Sequence, residues 1–375
     1  MSGAPRLRVG VDATALVARP TGVGNYIARL LEPMVLAHPE AEFVLFSNDA
    51  VSFPALPNVR FRSSSPKRRG PYWQNTHLRA MLAEERPNVF WAANGLLPVW
   101  RPQCMASVVT VHDLVYKFAP ETLPFVSLWG RRIGQRMAVA AADKLVYVSQ
   151  ATADDARAAY GRAADAIIPP LADNSFKRPA ASAVTAMCQR LGLPEHYLLT
   201  LGTLEPRKNI VALVDAYLNR REAGAALPLL VIAGGKGWLD SDIAARLERG
   251  EALGFVRRLG YVDLADLPAL YAGCDAFLMP SLYEGFGMPL LEGQLCGAPV
   301  IHGPHASMRE AAGGLGVTTL TNVAGIEDVL DALTAGTLAL ACRLRSDIVN
   351  DPGLSSSKLW SLISEAASSR GHRPS

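Results

Sequence analysis

The 375-residue chain has few cysteines and no pattern among them. Cys104, Cys188, Cys274, Cys296 and Cys342 are scattered without CxxC spacing, which argues against a disulfide framework or a zinc site and for a reducing compartment. Charge of one sign is also lacking. The formal net charge of +3 is too small to imply a nucleic-acid partner. No apolar run reaches the roughly 18 residues that a membrane-spanning helix requires. The apolar stretch from Val9 to Ala18 contains Asp12 and shows no small-residue cleavage pattern behind a charged leader, so it reads as a strand and not as a signal peptide. These absences make the cytoplasm the expected location. No metal-ligand cluster of the DxD or HExxH kind stands out, so neither a metal nor a resident cofactor is expected. No Ser-His-Asp order or nucleophile elbow is present, which disfavours hydrolase chemistry. Gly22-Val23-Gly24 falls short of a GxGxxG fingerprint, which counts against a nicotinamide-binding half.

What is present is an alternation. Half of the residues are hydrophobic and 19% are charged, enough apolar material for two domains of ordinary size. Short apolar runs at Arg8–Asp12, Phe43–Phe46, Val89–Trp91, Ala106–Val111 and Lys144–Val148 read as buried strands, with helical spacing at Ile27–Leu36 and after Ser149. A proline-rich stretch from Ile167 to Pro179 reads as a linker. The alternation then restarts with strands at Tyr197–Leu201, Leu229–Ala233, Arg258–Val262, Ala276–Met279 and Val300–Ile301, and helices at Ile210–Leu218 and Asp266–Ala272. Helical spacing recurs at Ile326–Leu340 and at Ser355–Ala367, which carries Trp360, while Ser368–Ser375 reads as a frayed end. This is an α/β pattern of parallel sheets covered on both faces. Polar residues follow the strands directly, at the edge where ligands bind in open α/β sheets.

The most informative stretch is Glu284-Gly285-Phe286-Gly287-Met288-Pro289-Leu290-Leu291-Glu292. It reads as a glycine loop entering a helix, with Pro289 suited to the first helical position and Gly297 to the residue past its end. Such a loop presents backbone N–H groups at a helix N-terminus, a ready phosphate site, and Glu284 and Glu292 flank it. An ordinary turn with solvated glutamates fits the spacing equally well. Arg207 and Lys208 follow a strand end and precede a helix, bracketed by Gly202 and Asn209, and suit a diphosphate better than a solvated basic turn. His112, beside Asp113 at a strand end, is placed to meet a sugar hydroxyl, although a lone histidine is more often structural. Lys67-Arg68-Arg69 with Tyr72, Trp73 and Arg79, and Trp129 with Arg131, Arg132 and Arg136, mix cations and aromatics. Such mixtures can seat a helix on an anionic membrane, but a solvated charged face is the plainer reading.

In their order, these motifs resemble the retaining glycosyltransferases of family 4. Glu284 to Glu292 followed by Cys296-Gly297-Ala298-Pro299-Val300 is similar to that family's E-x7-E signature. Thr21-Gly22-Val23-Gly24-Asn25-Tyr26, Val111-His112-Asp113-Leu114, Gly202-Thr203-Leu204-Glu205-Pro206-Arg207-Lys208-Asn209 and Ala233-Gly234-Gly235-Lys236-Gly237-Trp238 also fall in the family's order, so the resemblance covers nearly the whole chain. It implies the GT-B fold, two Rossmann-like domains with parallel sheets facing across a cleft: an acceptor-side domain over residues 1–172, a nucleotide-sugar domain over 173–350, and a helix in 351–375 crossing back to the first. It assigns Arg207 and Lys208 to the donor diphosphate, Glu284 to the donor sugar and Glu292 to the ribose. It places Gly22 and Gly24 beside the phosphates and His112 near the reacting carbon, and it draws Gly202 and the loop Gly285-Phe286-Gly287-Met288 into the donor site. The family's metal-free chemistry is framed as front-face attack with the leaving phosphate taking the proton, and no metal-ligand cluster stands out here to oppose it. Two departures stand out: Ile301-His302-Gly303-Pro304-His305 where a small polar residue is usual before the loop, and a poor match from Thr318 to Asp351.

Within the family the chain is similar to bacterial mannosyl- and rhamnosyltransferases of surface-polysaccharide assembly. The expected activity is retaining transfer of a hexose, mannose first, from a nucleotide-diphosphate sugar such as GDP-mannose to a saccharide acceptor, lipid-linked, at the inner face of the plasma membrane in lipopolysaccharide biosynthesis. A rhamnosyl- or glucosyltransferase, or a non-catalytic nucleotide-sugar-binding protein, are the alternatives.

Overall fold

The computed structural model describes residues 6–18, 20–64, 70–235, 241–338, 340 and 351–371. The chain forms two compact units, each built on one parallel sheet. The first takes the chain up to Lys117, then Pro124–Leu171, and the C-terminal helix; the second takes Phe118–Leu123 and the chain from Ala172 up to that helix. Expected strand runs fall where they do because a parallel strand covered on both faces is a near-continuous apolar run.

In the first unit the strands are β1 (Arg8–Asp12), β2 (Glu42–Ser47), β3 (Val59–Ser63), β4 (Val89–Ala92), β5 (Ala106–Val111), β6 (Lys144–Tyr147) and β7 (Ala166–Ile167). They lie in the order β3-β2-β1-β4-β5-β6-β7, all parallel, with Val9 opposite both Phe43 and Val89. In the second unit they are β8 (Tyr197–Leu201), β9 (Leu229–Ala233), β10 (Val256–Gly260), β11 (Ala276–Met279), β12 (Val300–His302) and β13 (Val317–Thr318), in the order β10-β9-β8-β11-β12-β13. Both orders run outward from a first strand and then reverse, which is the doubly wound Rossmann-like arrangement with a switch point beside that strand. The switch lies between β1 and β4 in the first unit and between β8 and β11 in the second. The second sheet shows its two faces clearly. Tyr197, Leu199, Phe277 and Met279 pack into one core layer, while Leu198, Ala276, Leu278 and Ile301 pack into the other.

Three expectations change. The strand expected at Arg258–Val262 runs two residues earlier, from Val256 to Gly260. It is a sheet edge with Arg257 and Arg258 exposed and a register shift before Gly260, so its apolar pattern is weak. The helix expected over Ile326–Leu340 occupies Val323–Thr334, where Asn322 accepts the backbone N–H of Gly325 as an N-cap. The chain does not fray at Ser368. A 20-residue helix, Pro352–Gly371, continues past it because Arg370 pairs with the Asp143 carboxylate at 2.8 Å and donates to the Gln103 carbonyl. This helix lies in the first unit: Leu359, Ile363 and Ala366 are fully buried, and the Ser356 hydroxyl donates to the Leu30 carbonyl. Trp360 stacks on His38 with centroids 3.8 Å apart. The departure at Ile301 is also explained. Ile301 is a core residue of β12 in register with Leu278, and a side chain at Gly303 would meet the Ser281 carbonyl oxygen at 2.3 Å.

Candidate functional site

Each switch point gathers polar side chains, and the two groups are described in turn. In the second unit, β8 ends at Leu201 and the chain passes through Gly202–Glu205 into a single 3₁₀ turn, Pro206–Lys208, before the helix Ile210–Glu222. Across the switch, β11 ends at Met279 and the loop Pro280–Gly287 leads to the helix Met288–Cys296, of which Pro289 is the second residue. The two loops are tied by the Leu282 N–H to the Arg207 carbonyl at 2.9 Å and by the Asn209 amide to the Pro280 carbonyl at 3.2 Å. Asn209 holds a left-handed conformation, φ 59°, which asparagine tolerates better than most residues. The neighbouring loop is also close: a Cβ on Gly234 would stand 1.9 Å from the Gly202 carbonyl oxygen, and both glycines have positive φ.

This zipper brings Arg207 and Lys208 onto Glu284. The Glu284 carboxylate is buried, and one oxygen accepts from the Arg207 guanidinium while the other takes the Lys208 ammonium at 2.7 Å. Arg207 also donates to the Tyr283 carbonyl at 3.0 Å and to the buried Glu205 carboxylate. Burial by itself raises the Glu284 pKa, but the adjacent Arg207 and Lys208 charges outweigh it and bring the carboxyl down to about 2. Glu284 is therefore ionised at every ordinary pH, in a cluster of two cations and two anions. Its backbone is fixed too, since the buried Ser307 hydroxyl donates to the Glu284 carbonyl at 2.6 Å. Glu292 lies on the helix Met288–Cys296 and accepts from the Tyr271 hydroxyl at 3.2 Å. Gly285, Phe286 and Gly287 form the loop ahead of that helix and Met288 is its first residue. Lys236, Gly237 and Trp238 lie outside the described residues.

In the first unit a concavity of about 490 Å³ opens at the strand ends. Its polar lining comes from the residues that follow four strands: Thr14 after β1, Asn48 and Asp49 after β2, Asn94 after β4, and His112 and Asp113 after β5. Trp73, Arg131 and Gln135 complete the polar and aromatic wall. His112 donates from Nε2 to the Ala93 carbonyl at 2.7 Å, which leaves Nδ1 as an acceptor, and its ring meets Tyr26 edge-on at 5.1 Å. Burial lowers its pKa, so the imidazole is neutral at pH 7. Beneath the wall, Asp12 is buried; its Oδ1 accepts the Thr14 hydroxyl at 2.7 Å, and Thr14 in turn accepts from Asn94. Gly24 is required by packing, since a Cβ there would lie 2.3 Å from the Ala15 carbonyl oxygen, whereas nothing lies within 4 Å of a Cβ on Gly22.

Local spacing alone gives no role to Glu205, Thr14, Asn48, Asp49, Asn94 or Gln135, although the first five lie in loops that follow strands and Gln135 lies on the helix Phe125–Ala141. Each grouping of cations and aromatics loses one member. Trp73 is buried, with its indole N–H on the Ser64 hydroxyl, so it is not a surface partner of the cations before it; Lys67 to Arg69 lie outside the described residues. Arg131 turns from Arg132 and Arg136 towards Asp113, 3.6 Å away. Among the described residues, no three His, Cys, Asp or Glu side chains are grouped as for a metal ion, and no helix is long and apolar enough to cross a membrane.

Residues 195–341 match the family model of group 1 glycosyl transferases, and residues 20–174 match that of Glycosyltransferase Family 4. The O-antigen chain mannosyltransferase B of Escherichia coli is 31% identical over 347 residues, spanning 87% of this chain and 88% of that protein. Among solved structures, Anabaena HepE in complex with UDP and glucose superposes with a TM-score of 0.69 at 17% identity, covering 96% of this chain and 100% of that one. WaaG, a glycosyltransferase involved in lipopolysaccharide biosynthesis, superposes with a TM-score of 0.66 at 15% identity, over 98% and 100% of the two chains. At such identities these two structures bear on the fold.

Proposed function

Because the chain belongs to the family 4, group 1 glycosyltransferases, we propose that it transfers mannose from GDP-mannose, with retention, to a lipid-linked saccharide in O-antigen or related polysaccharide assembly. The reading of the sugar rests on the mannosyltransferase relative, 31% identical over most of both chains. The reading of the site rests on one observation: a buried, ionised Glu284 held between Arg207 and Lys208 at a switch point of the second sheet.

In this mechanism the donor diphosphate enters beside the two cations. Lys208 exchanges its bond to Glu284 for a phosphate oxygen, and the released Glu284 oxygen accepts from a sugar hydroxyl. Arg207 stays on its carboxylates and shares its remaining charge with the diphosphate. Both cations stabilise the negative charge that develops on the leaving phosphate, and that phosphate takes the acceptor's proton from the same face. No metal is assigned a part, because the cation pair fills that role. The ribose falls to Glu292 and the loop amides of Gly285, Gly287 and Met288 to the phosphates, with Gly202 and Phe286 bordering them. On the first unit, neutral His112 accepts a hydroxyl through Nδ1, and Gly22 and Gly24 shape the turn that opens the helix Gly22–Ala37. The protein works at the cytoplasmic face of the membrane and uses the nucleotide sugar as a co-substrate.

The test is a thermal-shift panel with GDP-, UDP- and dTDP-sugars. Stabilisation by GDP-mannose alone is expected. Arg207→Ala should weaken that binding by about 1.5–3 kcal/mol, the range for a hydrogen bond to a charged group. Selective stabilisation by a UDP- or dTDP-sugar would replace mannose with glucose or rhamnose. Binding without turnover on any saccharide acceptor would make this a binding protein, and unchanged affinity in Arg207→Ala would remove the cation pair from the site.

A further inference from the structure

The helix Phe125–Ala141 of the first unit carries an apolar ridge that the fold leaves bare. Phe125, Trp129, Ile133 and Met137 recur every four residues and are 74%, 44%, 56% and 43% exposed, with Val126 beside them at 83%. Residues four apart share a helix face, so these five form one stripe along a segment about 25 Å long. Arg132 and Arg136, both exposed, run along the edge of the stripe one residue behind Ile133 and Met137. Arg132 lies over the Trp129 ring at 5.2 Å, and the helix contains no acidic residue. The opposite face is occupied: Ala138 and Val139 are buried, Gln135 is buried and donates to the Asp113 carbonyl at 2.8 Å, and Arg131 approaches the Asp113 carboxylate. Two more exposed apolar residues, Val99 and Trp100, precede Arg101, which donates to the Ala141 carbonyl at the end of the helix.

We infer that this helix face docks on an anionic lipid bilayer. An apolar stripe bordered by arginines is the form of a helix that lies in the interface plane, its aromatic and aliphatic residues entering the acyl boundary and its cations meeting acidic headgroups. A solvated face would not concentrate five large apolar side chains, and a second protein would have to meet the arginine edge with acids that this helix does not possess for itself. The inference deepens the proposed lipid-linked acceptor. The same helix that rests on the bilayer carries Arg131 and Gln135 into the wall of the 490 Å³ concavity, so that concavity opens near the surface from which a lipid-linked saccharide would arrive.

The full chain is floated with vesicles of phosphatidylcholine, alone or mixed with phosphatidylglycerol, at low and high salt and without any nucleotide sugar. Stronger partitioning to the mixed vesicles, weakened by salt, is expected. R132Q/R136Q should lower it roughly 30-fold, given about fivefold for each arginine near the surface. W129S/I133S should lower it at least about tenfold through lost apolar burial. Both pairs are exposed, so each variant should keep the wild-type thermal transition, and either one alone suffices for the test. Equal partitioning to both vesicle types, or partitioning that neither variant changes, overturns the inference. A dimer in sedimentation that W129S/I133S dissolves, with vesicle binding unchanged, assigns the face to a second copy and overturns it as well. Vesicle binding without nucleotide sugar is independent of the donor assignment, so the two readings fail separately.

Discussion

Replacing Glu284 by glutamine keeps its shape and removes its charge. The substitution thus imitates the protonated carboxyl, and the linkage between protonation and folding gives its magnitude. A fall from 4.5 to about 2 corresponds to about 3 kcal/mol of stability at neutral pH, carried by a side chain only 9% exposed and therefore little screened. Removing one partner of a buried ion pair is expected to cost a similar amount. For a unit of this size the loss should lower the thermal midpoint by roughly 6–12 °C. The sign follows from the direction of the shift. A carboxyl whose pKa is depressed on folding stabilises the protein above its unfolded value of 4.5, and that contribution disappears as the pH falls towards about 2. Wild type and Glu284→Gln should therefore differ by the full amount at pH 7 and converge steadily below pH 4.5. Urea unfolding between pH 7 and pH 3, followed by fluorescence, reads both quantities. Pyrophosphate adds a second arm: with the carboxylate gone, Lys208 and Arg207 lack part of their counter-charge, so the anion should raise the midpoint of the variant more than that of wild type. A variant within about 1 kcal/mol of wild type at pH 7, or a gap that does not change with pH, would refute the view of Glu284 as the counter-charge of the cation pair.

The glycine turn at the start of the helix Gly22–Ala37 separates packing from ligand contact. Gly24→Ala forces a Cβ against the Ala15 carbonyl and should cost about 2 kcal/mol or more in urea unfolding; Gly22→Ala enters open space and should stay within about 0.5 kcal/mol, so any loss of turnover in it reports on ligand. Ile363→Ala, in the fully buried face of the C-terminal helix, should cost about 2–5 kcal/mol and raise the rate of tryptic cleavage within the first unit while leaving the second unit resistant.

The interior of both sheets was legible because its strands are covered on both faces. Leu229–Ala233 and Ala276–Met279 are uninterrupted apolar runs, Ala106–Val111 and Tyr197–Leu201 are broken only by Ser107, Thr110 and Thr200, and the observed limits of all four are the expected ones. The edges were not. β3 reads Val59-Arg60-Phe61-Arg62-Ser63 with only Val59 buried, and β10 exposes two consecutive arginines, so neither presents the continuous apolar run that marks its neighbours. The helix Phe125–Ala141 escaped for a related reason. Its large apolar side chains lie on the bare face, while the buried face carries Gln135 beside the smaller Ala138 and Val139, against the usual pattern of the main apolar face turned inward. At the second switch point, residue types after strands pointed to the loops that meet there, but not to the partners within them. Glu284 meets Arg207 across 77 positions, and Arg370 meets Asp143 across 227. No local spacing encodes such pairs; they follow from the order of strands in the sheet.

That pairing also divides labour between two adjacent cations that sequence could not distinguish. Arg207 is held by Glu205, Glu284 and the Tyr283 carbonyl, three acceptors on two loops. A guanidinium presents several donors in a rigid plane, so it can satisfy these acceptors together and remain in place when a ligand arrives. Lys208 is bound to the Glu284 carboxylate by an ammonium on a flexible stem, a group that can turn to a new anion with little rearrangement. In the proposed transfer Arg207 is therefore the fixed element and Lys208 the exchangeable one. Glu205 acquires its role from this difference. By holding Arg207 from the other side, it keeps the guanidinium in position while Glu284 releases Lys208 and turns one oxygen to the sugar. Glu284 can keep the arginine on one oxygen and accept a hydroxyl on the other, and Glu205 gives the guanidinium a second hold. With two carboxylates, the cluster remains charge-balanced before the donor binds and gives up only one ion pair when it does.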